Sequence, residues 1–199
     1  MEPFRAHTGT IAVLPGDHVD TDRIIPARYL SRIERAGYGE LAFADLRGPD
    51  FVLDTPASQG ASILVVGTNF GCGSSREHAV WAIQQAGFRA VIARRDADSP
   101  GYSDIFRSNA ANNGLLLIEL DAGPHAEAVA LGTGATLTVN LEDQVVRGLP
   151  SGDARFEIAP MTRAAILAGL DLIGTTLSFG DQITAFEATM PTFVPSKGA

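Results

Sequence analysis

Apolar positions along the chain fall into short β-branched runs separated by stretches with helical spacing. Residues 10–14 (Thr-Ile-Ala-Val-Leu) predict a strand, and Pro15-Gly16-Asp17-His18-Val19-Asp20-Thr21-Asp22 after it is polar and rich in turn formers. Over 27–36, Tyr29, Leu30, Ile33 and Ala36 share one helical face, with Pro26 at the start and Gly37 as the stop. Residues 61–67 read as a buried strand, 74–86 as a helix with Ala79, Ile83 and Ala86 inward and Gly87 as its stop, and 89–93 as a second strand. A further helix fits 103–113, stopped by Gly114, and a strand 115–120. Strand, helix, strand at this spacing predicts parallel, right-handed βαβ units.

After residue 132 the pattern changes. Ala135–Leu141 alternates, Glu142-Asp143 marks a turn and 144–147 completes a hairpin. Residues 156–158 predict another strand and 161–168 a short helix ending at Gly169, and the tail from about 190 is expected to be loose. With no repeat and no long linker, the expectation is a single α/β domain over 1–199, with a central parallel βαβ core and an antiparallel β appendage.

Composition narrows the class. The 199 residues are 45% hydrophobic, enough for one substantial core. No run approaches the ~18 apolar residues of a membrane span, and no apolar signal core follows the N-terminus, so a cytoplasmic protein is expected. The formal net charge of −8 argues against nucleic-acid binding. Cys72 is the single cysteine. It can neither close an internal disulfide nor supply the three or four thiolates of an iron–sulfur cluster, so no metal site is expected on this chain and any such cluster belongs to another.

The chemistry concentrates in Asn69-Phe70-Gly71-Cys72-Gly73-Ser74-Ser75-Arg76-Glu77-His78, between the end of a strand and the start of a helix, where open α/β sheets bind ligands and helix N-termini attract anions. Ser74-x-x-Glu77 fits a capping box, a purely structural use. A dinucleotide loop would need glycine where Arg76 stands. His78 is equally a core or surface histidine. Ser74, Ser75 and Arg76 together offer two hydroxyls, free amides and a guanidinium, which can grip a carboxylate or stabilise an alkoxide.

These residues resemble the loop of the mobile swivel domain in the aconitase superfamily, and Val19-Asp20-Thr21-Asp22-Arg23-Ile24-Ile25-Pro26 resembles that domain's other signature. Asp104-Ile105-Phe106-x-x-Asn109 and Asn113-Gly114-Leu115-Leu116 follow in order. Gly169-Leu170-Asp171-x-Ile173-Gly174-x-Thr176-Leu177, with Ala185-Phe186-Glu187 behind it, is similar to the C-terminus of bacterial isopropylmalate isomerase small subunits. The resemblance implies a swivel domain that caps the active site of a large subunit carrying a 4Fe–4S cluster, with no cofactor on this chain. It implies a small di- or tricarboxylate-type hydroxy acid as substrate, isomerised by dehydration and rehydration in leucine biosynthesis. By position Ser74 resembles the proton-abstracting serine. Ser75 and Arg76, with Gly73 and Asn69, resemble the substrate-binding groups, and Thr21 and Asp22 the pair facing the large subunit's catalytic histidine. Without the resemblance, Thr21 and Asp22 read as a turn or cap and Asn69 as a loop brace.

Two features depart from that pattern. Arg94–Tyr102 is longer than the family's short link, which predicts either a neutral surface insertion, removable without harm to the fold, or an element touching pocket or partner. The segment before Phe51 is short. Both leave citraconate/2-methylmalate or a homocitrate-type acid open as substrates. From other classes, a phosphate- or nucleotide-binding module and an RNA-binding protein are the competing readings, and the failed loop spacings and the acidic balance count against them.

Overall fold

The computed structural model describes residues 1–190. In chain order it contains β1 (Ala6–Val13), α1 (Thr21–Ile24), β2 (Ile63–Val66), α2 (Glu77–Gln85), β3 (Ala90–Arg95), α3 (Asp104–Asn113), β4 (Leu116–Asp121), α4 (Ala122–Leu131), β5 (Thr136–Asn140), β6 (Val145–Arg147), β7 (Ala154–Arg155), α5 (Pro160–Ala168), α6 (Leu172–Leu177) and α7 (Gly180–Glu187). The strands form one mixed sheet in the order β4-β3-β2-β1-β5-β6-β7. β1 to β4 run parallel, while β5 pairs antiparallel with β1, and β6 and β7 continue outward. The expected antiparallel part is continuous with the parallel core, because β1 uses both of its edges and joins the halves into one sheet.

Register puts a core on each face. Ile11, Ile63, Ala90 and Leu116 align across β1–β4 and pack into one cluster, with Val139, Val146 and Phe156 from the antiparallel half. The next row, Ala12, Leu64, Val91 and Leu117, faces the other cluster, with Ala79 and Ile83 of α2 and Phe106 and Ala110 of α3. All four residues of β2 are buried, as a central parallel strand covered on both faces requires.

Several expectations need correction. The helix over 27–36 is only a 3₁₀ turn at Ala27–Tyr29 followed by irregular chain. Beyond the turn bonds that end at Arg32, the chain is tied to α2: Tyr38 N donates to Gln85 Oε1 at 2.8 Å and Gln85 Nε2 to Arg35 O at 2.7 Å. Of the apolar face that suggested a helix, Tyr29 and Leu30 pack against the core, but Ile33 is 99% exposed, so the later part of that face buries nothing that would hold a helix. The helix expected from Ser74 begins at Glu77, and the strand expected at 156–158 is replaced by Ala154–Arg155. α4 went unforeseen because Gly123-Pro124 in its first turn reads as a turn signal. α6 and α7 were also not foreseen. The expected loose tail falls on 191–199, outside the described residues apart from Met190.

Candidate active site

The chain leaves β2 through a loop that must turn sharply twice. Gly71 (φ 73°) lies so close to Phe106 that a Cβ there would meet the ring at 2.3 Å, and Gly73 has φ 90°. The loop is held from two sides. Gly71 N donates to Val19 O at 2.8 Å and Thr21 N to Cys72 O at 2.9 Å, stitching it to the segment leading into α1. From beneath, Asn69 N donates to Pro100 O at 2.9 Å, Phe70 N to Gly101 O at 2.8 Å and Ser103 Oγ to Gly71 O at 2.7 Å.

This second set of bonds changes the reading of residues 94–102. They are not a neutral insertion, because Pro100 and Gly101 supply the carbonyls under the loop. Thr68 Oγ1 also donates to Pro100 O at 3.0 Å, and the Tyr102 hydroxyl, fully buried, donates to Val91 O and Ile118 O at 2.7 and 3.0 Å. Burial pushes the Tyr102 phenol well above its ordinary range. Arg94 adds a clamp: Nη2 donates to Asp17 at 2.9 Å and Nε to Asp96 at 3.0 Å. The Thr68 N–H and then Arg94 hold the Asp17 carboxyl below its usual range. None of this bracing was read from sequence. Only Ser103, an N-cap whose Oγ accepts from Phe106 N at 3.3 Å, left a recognisable helix-start signal.

Most of the expected site residues come together where the two loops meet. Asp20 caps α1, its Oδ1 accepting from Arg23 N at 2.8 Å, which sets Thr21 and Asp22 in the first turn. Thr21 is buried, and its hydroxyl donates to Ser74 O at 2.9 Å. Arg76, its side chain only 14% exposed, forms an ion pair with Asp22, itself 54% exposed. Gly73, Ser74 and Ser75 lie open on the surface.

The capping box does not form. Arg76 stands at the N-cap in an extended conformation with no side-chain cap bond, and Glu77 Oε1 accepts instead from Asn113 Nδ2 at 2.8 Å. Ser74 is thus held through its carbonyl, leaving its hydroxyl at the surface. Asn69 is set apart: its amide engages His18 Nδ1 at 3.0 Å, the brace that the bland reading expected. His78 packs 4.8 Å from the Trp81 ring and 5.4 Å from Tyr38, a structural place in an aromatic cluster.

Cys72 lies between Gly71 and Gly73 in the loop, beside Asp20, with its thiol pushed up first by burial and then by the Asp20 charge, away from the thiolate that binds metal. Among the described residues no three His, Cys, Asp or Glu side chains group closely enough to hold a metal ion, and no helix is long and apolar enough to cross a membrane. The residues present do not fit an iron–sulfur cluster. The arrangement can instead offer two surface hydroxyls and an oriented guanidinium to an anionic ligand.

Comparison with known proteins points the same way. The family model described as "Aconitase C-terminal domain" matches residues 1–123, and LeuD_N matches 126–160. A protein of Rubrobacter xylanophilus named 3-isopropylmalate dehydratase small subunit is 46% identical over 98% of both chains. A protein of Halalkalibacterium halodurans with the same name is 46% identical over 95% of this chain and 99% of its own. A crystal structure of 3-isopropylmalate dehydratase from Methanocaldococcus jannaschii aligns over 92% of this chain and 99% of that one, at 28% identity and a TM-score of 0.66. The fold is that of an aconitase-type swivel domain, and the chain belongs to the family of 3-isopropylmalate dehydratase small subunits, within the aconitase C-terminal domain family.

Proposed function

We propose that this chain, with a separate large subunit, interconverts 2-isopropylmalate and 3-isopropylmalate by dehydration and rehydration in leucine biosynthesis. The observation that carries the reading is the convergence of Thr21, Asp22, Ser74 and Arg76 at one surface point, in a chain whose full-length relatives bear the small-subunit name. Those names favour isopropylmalate over citraconate/2-methylmalate or a homocitrate-type acid. A cytoplasmic enzyme and one swivel domain over 1–199 are the setting that goes with this reading.

Ser74 is the residue assigned to proton transfer. Its hydroxyl is exposed and free of capping duty, as a group meeting substrate must be. Serine is a weak base, so its alkoxide needs the neighbouring guanidinium and loop amides to be useful. Ser75 and Arg76 hold a substrate carboxylate. Arg76 has five N–H donors, and Asp22 occupies the Nη1 end, which leaves others for the ligand. Gly73 lets the backbone approach closely, Asn69 contributes at the loop's entry by fixing His18, and Thr21 with Asp22 faces the partner's catalytic group. A 4Fe–4S cluster, assigned to the large subunit, would supply Lewis-acid help with the substrate hydroxyl. This chain's part is positioning and proton transfer.

The test is reconstitution. Purified large subunit alone and this chain alone should each leave 2-isopropylmalate unchanged, and the mixture should form 3-isopropylmalate. A mixture that turns over methylmalate or homocitrate-type acids but not isopropylmalate would refute the substrate; activity of either chain alone would refute the division of labour.

A further inference from the structure

α6 and α7 carry a large apolar face that no other element among the described residues covers. Phe179, Ile183, Phe186 and Met190 recur at i, i+4, i+7 and i+11, one stripe along α7 and the turn after it, and Ile173 and Leu177 form an i, i+4 pair on α6. These six side chains are between 38% and 71% exposed. Together they present on the order of several hundred Å² of apolar surface, comparable with the ~800 Å² that each partner gives to a standard interface. Neither helix packs substantially against another element. Helices of six and eight residues are not stable alone in water, so their order calls for a covering surface.

Charge distinguishes the possible occupants. From Leu172 to Met190 there is no Lys, Arg or His, and Glu187 borders the stripe, with Asp181 on the far face of α7. A second copy would set Glu187 against its own kind, with −8 on each chain. A groove with apolar walls and a basic rim would meet both the stripe and its edge, the arrangement by which amphipathic helices dock.

We propose that the apolar face of α6 and α7 is the docking surface for the large subunit, received in a basic-rimmed apolar groove of that chain. The proposal rests on the two-subunit reading given above. It is tested with full-length Leu177→Glu and Phe186→Glu chains titrated calorimetrically against purified large subunit. Both side chains are exposed, so circular dichroism and melting temperature of the free variants should match the parent. Dissociation constants should rise roughly 10–100-fold, the weight of one buried large apolar side chain. Leu131→Glu, on α4 and outside the stripe, should bind as the parent does. A parent chain that does not bind the large subunit refutes the two-subunit reading itself. Parent binding with both variants unimpaired overturns the docking surface alone. So do a melting temperature several degrees lower in the free variants, which would assign the stripe to the chain's own core, and parent self-association that the variants abolish, which would assign it to a second copy.

Discussion

Replacing Ser74 by alanine separates the two uses that its position allows. As a helix cap, its hydroxyl would be worth ~1 kcal/mol. In the structure α2 begins three residues later, with Arg76 at the N-cap and no side-chain cap bond, and Ser74 is anchored by its carbonyl, which alanine keeps. Stability should therefore change by less than about 0.5 kcal/mol, as for an ordinary surface substitution. In a chain of this size ~1 kcal/mol moves the melting temperature by roughly 2–4 °C, so the two cases can be told apart. Catalysis should respond very differently. Removing a general base typically costs 10²–10⁴ in rate, or about 2.7–5.5 kcal/mol in the barrier. Substrate affinity should hold, because Ser75 and Arg76 remain. The assay is steady-state hydration of the alkene intermediate at saturating large subunit, with thermal melts of the isolated variant and Ser75→Ala in parallel. A Ser74→Ala enzyme within a few-fold of the parent rate refutes the assignment. A melt several degrees lower would show that the hydroxyl has a structural duty after all.

Arg76→Lys keeps the charge but loses the planar fork, and should raise the substrate KM by an amount equivalent to about 1.5–3 kcal/mol, measured against isopropylmalate concentration. Gly71→Ala forces a Cβ into the Phe106 ring at φ 73° and should cost roughly 2–4 kcal/mol in denaturant melts, whereas Gly73→Ala, whose Cβ meets nothing closer than 3.6 Å, should cost only the backbone strain of ~1 kcal/mol. Replacing Arg94–Gly101 by a two-residue link removes the carbonyls that accept from Asn69 N, Phe70 N and Thr68 Oγ1, so stability should fall by about 3 kcal/mol or more and activity with it; an unchanged melt would restore the passive-insertion reading. Burial holds His125 below its ordinary 6.5, with Nε2 2.6 Å from Val66 O. Because the unfolded chain binds that proton more readily, His125's contribution is complete above pH 6.5 and is lost as pH falls through the folded value, and His125→Gln should flatten that limb of a stability–pH profile.

What could be read in the sequence follows from where each signal was stored. β2 with its buried Ile63-Leu64-Val65-Val66, α3 between Ser103 and Gly114, and α5 between Pro160 and Gly169 carry local information: β-branching, an N-cap, a proline start and left-handed glycine stops. The joining of the antiparallel strands to β1 is a long-range pairing, Ala6 with Asn140 through Thr10 with Thr136, and no local pattern records it. The segment after Pro26 failed in the opposite way, since a helical period was present but Gln85 captured its backbone and nothing covered Ile33. At the candidate site, the residue types in the loop suggested an anion-binding role. The failure of the Ser74 capping box could not be read, because it depends on Asn113, thirty-six positions away, claiming Glu77.

That competition for Glu77 bears on how the site works. A capped Ser74 would turn its hydroxyl into the helix, where it would be spent on a backbone amide. With Glu77 drawn off by Asn113, α2 starts late, and the chain from Gly73 to Arg76 is left irregular, with Gly73, Ser74 and Ser75 at the surface. Two contacts then fix this segment without consuming its serine hydroxyls: Thr21 grips the Ser74 carbonyl, and Asp22 orients the Arg76 guanidinium. Each comes from the short α1, so buried Thr21 and exposed Asp22 set the geometry of a loop fifty positions away. Displacing α1 by even a small amount would misplace the proposed base, Ser74, and the proposed carboxylate grip, Arg76, together. Thr21→Val, which cuts the tie on the Ser74 carbonyl and so loosens Ser74, Ser75 and Arg76 as one segment, should accordingly lower turnover and weaken substrate binding in one step, and a loss confined to either parameter would show that the two serve the site independently.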